Sequence, residues 1–175
     1  MRRVLFSIFI INLVSANEFV ITDGEVTYFG EHYLHEWRGV STSINGSFYL
    51  SELNNTYHCS ISIPLNSFSS GNSNRDSNML IYCRGIDFPI IRFTADSITL
   101  VDNIADIAGN LVFAGKTNKL KTKVNLIPQN DSVISVVGEF EFLLSKFDIE
   151  RPSLMFGRIS DTILIKFILT GSKNE

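Results

Sequence analysis

The chain has 175 residues, 45% of them hydrophobic, and its 15 basic side chains against 18 acidic ones give a net charge of −3. That length fits one domain able to bury a core or enclose a cavity. The acidic balance argues against a nucleic-acid partner, whose phosphates demand a basic face.

The N-terminus begins Met1-Arg2-Arg3, continues with an apolar run over residues 4–14, and passes through Ser15 and Ala16 to the polar Asn17-Glu18. A basic start, a short apolar middle and small residues at the exit make a secretory signal peptide over 1–16. The expected mature chain is then a single domain over 17–175, periplasmic or secreted. Loss of Arg2 and Arg3 moves its net charge from −3 to −5. No other run approaches the ~18 apolar residues of a membrane helix, so no integral span is expected in the mature chain.

A first strand is expected around residues 19–29. The segment His32-Tyr33-Leu34-His35-Glu36-Trp37 follows. Apolar and polar residues then alternate, the period of a strand with one face inward. Thr42, Ile44, Gly46, Phe48 and Leu50 oppose Ser41, Ser43, Asn45 and Ser47. Asn45-Gly46 is a hairpin signal, but the alternation runs through it, so the expectation is one strand bent or bulged at Gly46. After an Asn-rich turn at 51–55, Tyr57, Cys59, Ile61, Ile63 and Leu65 repeat the pattern.

The period breaks after Ser70-Gly71. Met79, Leu80 and Cys83 recur at helical spacing, predicting a short capping helix near residues 73–84 with Ser73 or Asn74 as its N-cap. Arg75 and Asp76 read as a local ion pair at its start. Alternation resumes through Ile91, Phe93 and Ala95; Gly109, Leu111 and Phe113; and Leu120, Thr122, Val124 and Leu126. Ile134, Val136, Gly138, Phe140 and Phe142 follow, then Ile163, Ile165, Phe167 and Leu169. Lys116, Lys119, Lys121 and Lys123 read as the solvated face of a strand. The total is about eight strands, the usual number for a small closed barrel that can hold one ligand. The fold class is all-β.

Signals for catalysis are missing. There is no Gly-x-Ser-x-Gly elbow and no phosphate-cradling glycine loop. His32 and His35 lack the further ligands of a structural metal site, so no catalytic residue, metal or cofactor is expected. Cys59 and Cys83 read as two buried thiols, with a bridge between them left open. The 14 phenylalanines, many on inward faces, suit an apolar pocket in which each buried methylene gains ~0.8 kcal/mol.

Several segments resemble the YceI-like family in order and spacing. Ser67-Phe68-Ser69-Ser70-Gly71-Asn72-Ser73-Asn74-Arg75-Asp76-Ser77-Asn78-Met79-Leu80 looks like its Ser-x-x-Ser/Thr-Gly-Asn-x-x-Arg-Asp-x-x-Met/Leu-Leu signature. Asp87-Phe88-Pro89-Ile90-Ile91-Arg92-Phe93 is similar to its Tyr/Phe-Pro-x-Ile-x-Phe. The run from Ala108 to Thr117 resembles its Gly-x-Leu-x-x-x-Gly-x-Thr strand pair. Phe147-Asp148-Ile149-Glu150-Arg151-Pro152-Ser153-Leu154, with Asp161, is similar to its C-terminal pattern, and His32 through Gly39 to the His-x-x-His-x-Trp-x-Gly of one branch. The resemblance implies an antiparallel, lipocalin-like barrel of eight strands that holds a polyisoprenoid or related long-chain lipid, with no enzyme activity and no cofactor.

On that reading the lumen is lined by Phe48, Ile61 and Ile63, Phe93, Leu111 and Phe113, Val124, Phe140 and Phe142, and Phe167. Arg75 and His35 are the candidates to meet a ligand headgroup. Two alternatives stand beside the carrier: a structural barrel filled with side chains, and a lipid-modifying enzyme using the His32/His35 region. Outward-facing Val112, Val137 and Leu164 leave a homodimer open.

Overall fold

The computed structural model describes residues 17–51, 56–154 and 157–173. The expected signal peptide and most of the 51–55 turn lie outside these. No helix among the described residues is long and apolar enough to cross a membrane.

Period-two alternation produces an antiparallel sheet closed on itself. Strand β1 (Asn17–His32) pairs through its second half with β2 (His35–Ser41) and through its first half with β3 (Asn45–Ser51). Val26 faces Ser41 and Val20 faces Ser47, the same register, so β2 and β3 are two lengths of one strand interrupted at 42–44. The sheet continues through β4 (Thr56–Pro64), β5 (Ile90–Val101), β6 (Ile104–Phe113), β7 (Lys116–Asn130) and β8 (Val133–Leu143) to β11 (Thr162–Lys173). Strand β11 then pairs with β1 from Phe19↔Lys173 to Phe29↔Leu164. Counting β2 and β3 together, eight strands close the barrel. A separate two-residue pair, β9 (Ser153–Leu154) with β10 (Gly157–Arg158), lies in the connection to β11.

The expected bend falls elsewhere. Strand β3 passes through Asn45 and Gly46 in unbroken register with Ser62 and Ile61 of β4, and the interruption precedes it. Just before the break, Val40 and Ser69 exchange backbone hydrogen bonds of 2.9 Å each, while the Ser41 and Ser67 hydroxyls share one of 2.6 Å. The chain there turns from its strand neighbour toward the segment that leads into the helix. Gly46 is still required: its φ of 155° is a backbone few L-residues adopt, and a side chain would run into the Ser60 carbonyl.

Helix α1 (Ser73–Tyr82) lies between β4 and β5. Its N-cap is Asn72, not Ser73 or Asn74: the Asn72 side chain accepts the Arg75 N–H at 3.1 Å. Asp76 does not pair with Arg75. Its carboxylate accepts the Ser70 amide at 3.0 Å and the Ser70 hydroxyl at 2.6 Å, tying the first turn to the preceding loop where negative charge complements the helix dipole. Asn72→Ala is expected to cost about 1 kcal/mol, read as a lower urea midpoint with unchanged slope.

Chain direction places α1, the 33–34 and 114–115 turns and the long 144–161 connection at one end. The two-residue turns 102–103 and 131–132 lie at the other. Outside the barrel, Lys119 pairs with Asp96, Lys123 with Asp106 at 3.1 Å and Lys116 with Asp148 at 2.6 Å. These are exposed pairs that add little stability.

Candidate functional site

Inward residues of all eight strands surround a cavity of about 720 Å³ that runs from α1 down to Phe48, Leu126, Val136 and Leu169. The lumen is therefore open space and not a packed core. Phe93, Phe140, Phe142 and Phe167 are only half-buried although they point inward, because they face the cavity. The structure places all ten expected lumen residues on this wall, together with Arg75 and His35.

Polarity along the wall is graded. His35, Asn72, Arg75, Asn78 and Ser153 belong to the α1 end, whereas Thr122 is the main polar group deeper in. One face of α1 looks into the mouth through Asn72, Arg75, Met79 and Tyr82, the three- and four-residue steps of a helical stripe. The Arg75 guanidinium lies over the Trp37 ring, 5.7 Å from its centroid, and among the described residues no carboxylate forms an ion pair with it. An arginine held by an aromatic face, with its donors unspent, can take an anionic or strongly polar group.

Tyr28 was not among the expected site residues, yet it lines the upper cavity. Its ring occupies the space a side chain at Gly39 would fill. Burial first, then the negative charge of Asp76, push its hydroxyl up to about 12, against the pull of Arg75 and a hydrogen bond with Ser70. Tyr28 therefore stays a neutral hydroxyl beneath the mouth. Its two-residue spacing from Val26 was the available signal. Met79 was likewise legible, one helical turn beyond Arg75.

The two histidines part company. His35 lies on the cavity rim, 5.6 Å from the Trp37 ring. His32 sits behind it, 5.9 Å from His35 and only 3% exposed, off the cavity wall. Among the described residues no group of three His, Cys, Asp or Glu side chains converges to hold a metal.

Cys59 and Cys83 are free thiols, both buried and both on the cavity wall. Burial pushes Cys59 up to about 11 and Cys83 up to about 12, from an ordinary 9.0. Between those values the unfolded chain gives up protons that the folded one keeps. Stability is thus full below about pH 9 and falls as pH rises toward 11. Urea midpoints at about pH 8 and about pH 10.5 check this, and the loss should shrink in a Cys59→Ala variant.

The YceI-like domain family matches residues 19–170. Among solved structures, Burkholderia cenocepacia BcnA superposes with a TM-score of 0.75 at 16% identity, over 84% of this chain and 95% of that one. A polyisoprenoid binding domain from Saccharophagus degradans, implicated in plant cell wall breakdown, gives 0.71 at 14% identity, over 91% and 100%. The Campylobacter jejuni YCEI protein gives 0.63 at 14% identity, over 99% and 94%. No curated protein matches the sequence. At these identities the superpositions speak for the barrel fold.

Proposed function

The chain belongs to the YceI-like family, and on that premise we propose that it is an exported carrier or store for a polyisoprenoid or similar long-chain amphiphile, acting by binding and not by chemistry. The observation that carries this reading is the cavity: about 720 Å³, apolar along its depth but for Thr122, with its other polar side chains gathered at the α1 end. A pocket graded in that way suits a molecule with a long hydrocarbon tail and one polar end. That the Saccharophagus neighbour is described as a polyisoprenoid binding domain supports the same ligand class. The leader expected over 1–16 would deliver the protein to the periplasm or beyond.

Each buried methylene contributes ~0.8 kcal/mol, so about twenty of them exceed the 4–15 kcal/mol or so that association costs. The tail supplies affinity and the mouth supplies orientation. Arg75, steadied by Trp37, donates to the headgroup, with His35 across the rim. Arg75→Gln should weaken a prenyl phosphate by about tenfold or more, the worth of a charge-assisted hydrogen bond. The same variant should bind squalene, which has no headgroup, as the parent does.

Trp37 is the only tryptophan and it lines the mouth, so its emission reports occupancy. Titration of the delipidated protein with a polyprenol should give a saturable change at one equivalent. No change, with no lipid retained after gel filtration, would overturn the carrier reading.

A further inference from the structure

Toward the end of the barrel opposite α1, two aromatic rings form a plug at the foot of the cavity. The Phe48 and Phe19 rings stack at 5.3 Å with planes 12° apart, and both residues are buried. Phe48 alone of the two reaches the cavity. Beneath it is Gly171, where a methyl group would come within 2.6 Å of the Phe48 ring and 3.1 Å of Phe19. The glycine is therefore what lets the plug sit as low as it does. Gly171 pairs with Ile21 of β1 and Ile134 of β8, which holds the seat of the plug within the sheet.

We propose that this plug measures the ligand: Phe48, braced by Phe19 and seated over Gly171, stops the tail at the floor while the polar end is held at the α1 mouth. The inference rests on the carrier reading and adds a chain length to it. A cavity of ~150 Å³ accepts one benzene, about 25 Å³ per carbon. By that measure about 720 Å³ holds about thirty carbons, or about six isoprene units. A longer tail meets the plug and must push its headgroup out past Arg75 and Trp37. A shorter one leaves lumen unfilled and its lining without contact partners.

Two substitutions move the floor in opposite directions. Phe48→Ala removes six ring carbons and makes room for about one more isoprene unit. Gly171→Ala drives the Phe48 ring up into the lumen and takes room away. Phe48→Leu keeps an apolar plug and should act as Phe48→Ala does, by less, should the alanine variant fold poorly.

The test is native mass spectrometry of the delipidated protein against all-trans prenols of about three to about ten isoprene units at equal concentration. Occupancy should peak near six units and fall at least about fivefold by nine. Phe48→Ala should move the peak to longer prenols and Gly171→Ala to shorter ones. Occupancy that rises through the whole series, or a peak that stays put in every folded variant, would overturn the gauge and leave the carrier intact. No occupancy at any length would overturn the carrier itself.

Discussion

Ile107→Trp should leave a folded barrel that no longer holds lipid. Ile107 projects from the middle of β6 between Ile98 and Thr122, and all three line the cavity. The indole would enter open space, so the substitution should not carry the 1–3 kcal/mol or so of strain that overpacking a filled core brings. It would occupy the volume of about five ligand carbons, a loss of about 4 kcal/mol, or about a thousandfold in affinity. Circular dichroism and melting should be close to the parent, while prenol uptake collapses. Retained uptake would mean that the cavity is not where the lipid goes. A large drop in melting temperature would mean that the lumen had no room to give.

Phe147→Ala should do the reverse, costing stability first. Phe147 is 1% exposed and sits in the 144–161 connection against the rings of Phe113 and Phe142, each at 5.5 Å. It anchors the connection that covers the α1 end, and truncation leaves a cavity with few neighbours free to collapse into it. The expected cost is about 4 kcal/mol, or about 10 °C in Tm for a chain of this size. Thermal denaturation followed by circular dichroism checks it. A shift below about 3 °C would show that the cover contributes little to the barrel.

The contrast between these residues shows what sequence makes visible. Ile107, like Phe140, lies on a strand whose side chains alternate without a break, so its inward direction follows from the period of two. That is why the eight strands and the ten lumen positions could be read without a structure. Phe147 lies outside any strand, and its burial is set by Phe142 at the end of β8 and by Phe113, which is distant in sequence; period carries no information there. The break at 42–44 was missed for a similar reason. It is held by Ser41 to Ser67 and by Val40 to Ser69, contacts that no local pattern encodes.

The cap of α1 was misjudged because Asn72, Ser73 and Asn74 are all good N-cap residues in a row, and only the Asn72 bond to the Arg75 N–H separates them. At the mouth, Arg75 and His35 were legible as polar residues near a helix and a hairpin. Tyr28 was not, because its setting depends on Arg75 and Asp76, whose charges act on it from far along the sequence.

The most direct test of the account is native mass spectrometry of the protein purified without detergent, followed by organic extraction of whatever it carries. One equivalent of a long-chain amphiphile with a single polar end is expected, lost in Ile107→Trp. An empty protein that also refuses every added polyprenol would contradict it.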